Sequence, residues 1–189
     1  MPYIFIRHGE KMYKNGSPCN NLPAHDPPLK NIAQKEIKKL TIDLVSRFGY
    51  PKKIITSPYW RTRQTSELIR AQLLETYDYM PGLEIEKDIG EFLGHQRPKG
   101  KIADLEVVTQ QYTTGYLGTE GLKDCKNRII SYYINMPVEE EGNVWVITHG
   151  ILLHFLYKFL YREDRHFEEL EYFIHPLLNP LGFVNTDLP

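Results

Sequence analysis

Three short apolar runs most constrain how this chain can fold: YIFIRH at 3–8, KIITS at 53–57 and NVWVITH at 143–149. Each is rich in β-branched or aromatic residues and lacks the alternation of a half-solvated strand. Such runs suit central strands covered on both faces. Between them lie helical patterns. In 33–48, Ile37, Leu40, Leu44, Val45 and Phe48 recur at helical spacing, with Lys35, Glu36, Lys38 and Lys39 on the opposite face. Segment 61–76 repeats this with Thr65, Leu68, Ile69 and Leu73, and 121–135 with Leu122, Cys125, Ile129 and Tyr133. Segment 150–161 is apolar nearly all round, so His154 within it reads as a core histidine. Strands alternating with helices predict an α/β fold, a mostly parallel central sheet layered between helices as a three-layer αβα sandwich. At 189 residues the expectation is a single domain over 1–189, with loop insertions at about 10–30 and 92–120.

Charge narrows the function classes. The chain has 23 basic and 24 acidic residues and a formal net charge of -1, so it has no overall field to hold a nucleic acid. Recognition of an anion must be local. The longest apolar run, ILLHFLYKFLY at 151–161, is too short for a bilayer and contains His154 and Lys158, so no membrane association is expected. Cys19 and Cys125 fit no metal or redox spacing and suit a reducing compartment. With Arg7, His8, Glu10 and Lys11 where a secretory leader would be apolar, a cytoplasmic location is expected. Oligomeric state is left open.

All three runs close on groups that bind or attack phosphate: Arg7 and His8, then Ser57 followed by Arg61, then His149 with Gly150. In open α/β sheets, ligands collect beyond the carboxyl ends of the strands, where loops and helix N-termini converge. Three strand ends therefore point to one crevice. A guanidinium matches phosphoryl oxygens bidentately and stays charged at working pH, which suits Arg7 and Arg61. Arg63 is a local rival. No carboxylate or histidine cluster has metal-ligand spacing, and the two arginines supply positive charge, so neither metal nor other cofactor is expected.

These residues resemble the histidine phosphatase superfamily, also called phosphoglycerate mutase-like. IRHGE resembles its leading Arg-His-Gly motif, TSPYWRTRQT its Ser-Pro-x-x-Arg stretch with a following Thr, and VITHG its second histidine; HDPPLK at 25–30 is similar to its Asp-x-Pro-Leu segment. The resemblance implies a phosphomonoesterase with His8 as nucleophile, forming a phosphohistidine. Arg7, Arg61 and His149 would stabilise the transferring phosphoryl group. The proton for the leaving group would come from a glutamate among Glu84, Glu86 and Glu91, and the family pattern favours Glu91, with a raised pKa. Gly9 would leave room for the ligand, Gly150 would offer a helix N-terminal N–H, and Ser57 would donate to phosphate or cap the next helix. Asp26 reads as a turn residue.

Two features depart from the family pattern. Ala33 stands where its first helix usually begins with glycine, and the Ser, Trp and Asn set of its mutases is missing after Arg7-His8-Gly9. The resemblance thus leans towards phosphatases, with a phosphorylated small molecule or phosphoprotein as partner and phosphotyrosine among the candidates. Mutase-type transfer and a silent phospho-ligand binding module remain the alternatives. Lys11, Lys14, Arg97, Lys99 and Lys101 would favour a second negative group, and Tyr112 and Tyr116 an aromatic ring. The segment 175–189 reads as a tail packed on the core.

Overall fold

The computed structural model describes residues 2–12, 26–92, 120–137 and 142–176. Side chains alternate across a strand, and β1 (Pro2–Arg7) buries both rows. Tyr3 and Phe5 enter one apolar cluster, Ile4 and Ile6 the other. β2 (Pro51–Thr56) and β4 (Asn143–Thr148) divide in the same way, with Ile55, Val144 and Val146 on the first side and Ile54, Trp145 and Ile147 on the second. Helices cover both faces, which is why these strands are apolar without alternation. On the first face lie α3 (Leu122–Ile134) and α4 (Gly150–Tyr161), through Cys125, Ile129, Leu152, Leu153 and Leu156. On the second lie α1 (Ala33–Phe48) and α2 (Trp60–Tyr77), through Ala33, Ile37, Leu44, Ile69 and Leu73. This is the expected αβα sandwich, and each helix falls within one residue of its predicted bounds.

Two edge strands join the three expected ones. β3 (Gly82–Ile85) pairs parallel with β2, and β5 (Tyr172–Pro176) pairs antiparallel with β1, Ile4 facing Ile174. The order is β3-β2-β4-β1-β5. β3 has four residues, mostly exposed, too few for any period to show. The order places β4 between β1 and β2, so His8, Ser57 and His149 follow three adjacent strands. The chain leaves β1 towards β2 but leaves β4 towards β5. Ligands in such sheets bind where connections diverge in this way.

The two ends of the segment 10–30 pair with each other. Lys11 bridges Leu29, the Met12 N–H donates to the Pro28 carbonyl at 2.9 Å, and the Lys30 N–H to that of Glu10 at 2.9 Å. Residues 13–25, 93–119 and 177–189 lie outside the described residues, and with them Cys19, Lys14, Arg97, Lys99, Lys101, Tyr112, Tyr116 and most of the tail. Among the described residues, no helix is long and apolar enough to cross a membrane.

Candidate active site

β1 ends at Arg7, yet the backbone of His8 still follows β4, its N–H donating to the Thr148 carbonyl at 3.1 Å. This fixes the buried imidazole. Its Nδ1 lies 2.7 Å from the Gly9 carbonyl, which can only accept, so Nδ1 carries the proton and Nε2 the lone pair. Arg61 Nε donates to that lone pair at 3.1 Å. Burial, then the charge of Arg61 and the proximity of His149, hold the His8 pKa well below the ordinary imidazole value. His8 is therefore neutral, with Nδ1 committed as a donor and the Nε2 lone pair held by the Arg61 N–H.

Arg61 stands in the first turn of α2, following the Ser57 strand end. Its guanidinium also meets Asp26 Oδ1 at 3.2 Å, Glu91 Oε2 at 3.0 Å and His149 Nδ1 at 3.2 Å, with Cζ 4.9 Å from the centre of the Tyr59 ring. Arg63 makes none of these contacts. Of the two arginines, it is Arg61 that stands beside His8.

His149 follows β4 and is fully buried, its ring edge-on to that of His8 with centroids 5.3 Å apart. Its Nδ1 is 3.2 Å from Glu91 Oε2 and its Nε2 is 2.8 Å from Ser57 Oγ. A bond to an ionised carboxylate is the stronger one, so Nδ1–H donates to Glu91 and Nε2 accepts from the Ser57 hydroxyl. Burial pushes the His149 pKa down to about 4, against the pull of Glu91. Burial would raise the Glu91 pKa, but His149, Arg61 and His8 outweigh it and hold the carboxyl well below the usual range. Of the two causes expected to raise it, a bound phosphate and burial, burial acts in that sense but is outweighed, so without a phosphate Glu91 is ionised.

His8, Glu91 and His149 present ligand atoms within 4.8 Å of one another, a spacing that admits a metal ion. Arg61 donates to His8 Nε2 and to Glu91 Oε2, and its Nη2 lies 3.2 Å from His149 Nδ1. A dication there would have to displace a permanently charged guanidinium, so the donor set fits an anion better.

Residues 3–177 match the sequence profile of the histidine phosphatase superfamily (branch 1). The chain belongs to this superfamily. No curated protein matches it in sequence. Its fold is similar to that of Bacillus stearothermophilus YhfR (18% identity, 97% of this chain and 95% of that one, TM-score 0.67). It is also similar to phosphoglycerate mutase from Bacillus anthracis (17%, 92% and 87%, 0.64). A third structure is phosphoserine phosphatase from Entamoeba histolytica in complex with phosphoserine (12%, 95% and 92%, 0.62).

Within this histidine phosphatase superfamily member, several residues expected from sequence take other places. Gly9 does not open space for a ligand. Its N–H donates to Thr65 Oγ1 at 3.1 Å, and an added Cβ would stand 3.3 Å from both Ala33 Cβ and Ile37 Cδ1, so its smallness serves the packing of α1 on β1. Ser57 Oγ is bonded to His149 and lies 3.5 Å from the Tyr59 N–H. The cap of α2 is Asp26, which accepts the Trp60 N–H with Oδ1 at 2.8 Å and Oδ2 at 2.9 Å. It is no solvated turn residue: it is buried and ion-paired with Arg61, and burial pushes its pKa up to about 6. Only the DPPL segment hinted at it.

Glu84 and Glu86 face other partners, Lys53 at 3.4 Å and the Asp88 N–H at 2.9 Å. His154 is not a core residue. It is partly exposed, with Nδ1 2.9 Å from the Arg165 carbonyl oxygen and its ring stacked on His166. Arg7 is not hydrogen-bonded to His8, Arg61 or His149. It lies against Gly150, where an added Cβ would stand 3.3 Å from its Nε. Glycine at 150 thus lets Arg7 lie close against the start of α4, a reason absent from the sequence reading.

Proposed function

We propose that this protein is a metal-independent phosphomonoesterase forming a covalent phosphohistidine on His8, with phosphotyrosine or a small phosphate ester as substrate. The observation that carries this is the state of His8: its Nδ1 proton is spent on the Gly9 carbonyl and its Nε2 lone pair rests on Arg61. An imidazole so held is a nucleophile with its tautomer fixed.

The phosphoryl oxygens take over the Arg61 N–H from His8, and the freed Nε2 attacks phosphorus in line with the ester oxygen, the P–O bond breaking as the N–P bond forms. Arg61 and Arg7 offset the charge on the equatorial oxygens, and the negative phosphoryl group favours the imidazolium form of His149. A monoester has a second pKa of about 6, so it arrives partly protonated. The ionised Glu91 takes up that proton and passes it to the leaving oxygen. Its carboxylate then deprotonates the water that attacks the phosphohistidine, and His8 is released with inorganic phosphate. The fold neighbours support phosphoryl chemistry. One is phosphoserine phosphatase, and another is a mycobacterial glucosyl-3-phosphoglycerate phosphatase. The buried, unpaired Cys125 suits the cytoplasm.

The test is phosphate release by wild type and His8→Ala without added metal, over aryl phosphate, phosphotyrosine peptide, phosphoserine, sugar phosphates and phosphoglycerates. Release that depends on His8, persists in EDTA and is blocked by vanadate is expected. Transfer between phosphoglycerate positions without release would instead identify a mutase, and retained activity in His8→Ala would remove the nucleophile.

A further inference from the structure

Arg7 is already engaged in the free site. Nη1 donates to the Phe167 carbonyl and Nη2 to Glu169 Oε1 at 3.3 Å, the Arg7 and Glu169 side chains being only 20% and 17% exposed. Nε is different. It is buried, has no hydrogen-bond partner and lies against Gly150, the first residue of α4. The turn that supplies Phe167 and Glu169 is clipped to the end of β1. The Arg7 N–H donates to the Glu171 carbonyl at 3.0 Å and the Leu170 N–H to that of His8 at 3.4 Å. Leu170 itself has φ 63°, a left-handed conformation that a residue with a Cβ keeps only where its surroundings impose it.

A guanidinium is a rigid planar fork of five N–H donors. Once its outer nitrogens are fixed by a carbonyl and a carboxylate, its plane cannot turn, and the Nε edge faces the amino end of α4. A buried N–H without a partner is costly unless something fills the place. A phosphoryl oxygen at the amino end of α4 would accept from it, beside the helix N–H groups. We propose that Glu169 is the positioning residue of Arg7: it anchors the outer edge of the guanidinium so that the unpartnered Nε–H is presented to the phosphoryl group. This rests on the phosphatase reading above, which makes a phosphoryl group the ligand of Arg7.

Orthophosphate binding by calorimetry on the full chain, alongside steady-state hydrolysis, tests it. Glu169→Ala should raise the orthophosphate Kd and KM about tenfold and change kcat less than about threefold, the scale of one charge-assisted hydrogen bond. Glu169→Gln, whose amide oxygen still accepts from Nη2, should recover to within about threefold of wild type. In an Arg7→Lys background, Glu169→Ala should add no further loss, because the residue it positions is gone. Wild-type affinity in Glu169→Ala, equal losses in the Ala and Gln variants, or additive losses in the Arg7→Lys background would each overturn the proposal. If wild type binds orthophosphate but hydrolyses nothing, only the catalytic reading falls and positioning is read from the Kd values. If wild type binds no orthophosphate, both fall.

Discussion

One guanidinium, that of Arg61, meets His8, His149, Glu91 and Asp26, on three sides of the same group. A lysine ammonium is a single point and cannot span them. Arg61→Lys should therefore lower kcat/KM by about 10²-fold or more, whereas Arg63→Ala should stay within about threefold of wild type; phosphate release read side by side decides. Glu91 is separable by leaving group. An alkoxide needs a proton to depart and an aryloxide needs it less, so Glu91→Gln should slow alkyl phosphates about 10²-fold more than aryl phosphates. Equal slowing of both would mean that Glu91 acts by holding Arg61 and His149 and not by moving a proton.

Among the elements, α1 is seated on β1 through Gly9, Ala33 and Ile37. Gly9→Ala would drive a methyl into contacts of 3.3 Å on two sides and should cost about 1–3 kcal/mol as an overpacking change. Adding Ala33→Gly should restore part of that stability, measured by chemical denaturation; strictly additive losses would place the strain elsewhere. The same contact marks where sequence reasoning stops. His8, Arg61 and His149 were legible because each ends an apolar run or opens a helix, which is local information. Gly9 was legible as a glycine but not as a packing residue, because its neighbour Ala33 belongs to another element. Asp26 and Arg61 are 35 positions apart, and Arg7 and Glu169 are 162 apart, so neither pairing leaves a periodic trace. β3 and β5 have only four and five residues, Phe173 of β5 entering one cluster and Tyr172 and Ile174 packing on the other, so neither run is long enough for a period to show.

Over the whole molecule, the buried histidines set the response to acid. His8, His149 and His175 all have pKa values lowered by burial, the last two to about 4. Below the ordinary imidazole pKa of 6.5 the unfolded chain binds protons that the folded chain refuses, so stability falls as pH drops from 6.5 towards 4. Glu91, held low, adds a loss in the same direction as pH falls below the ordinary carboxylate value. Asp26 opposes them: raised to about 6, it binds its proton more tightly when folded, so its contribution is present at low pH and is lost as pH rises from 3.8 to 6. The histidines outnumber it, and net acid destabilisation is expected. His175 isolates the effect, because it lies on β5 outside the active site, with Nε2 buried and unpartnered and Nδ1 3.3 Å from the Tyr161 hydroxyl. At about 1.4 kcal/mol per unit, its shift amounts to roughly 3 kcal/mol between neutral pH and pH 4. His175→Phe should therefore flatten the fall in denaturation free energy over that range, whatever it does to the value at pH 7. An unchanged slope would mean that His175 is protonated in the folded protein, and that the acid response belongs to the active-site histidines alone.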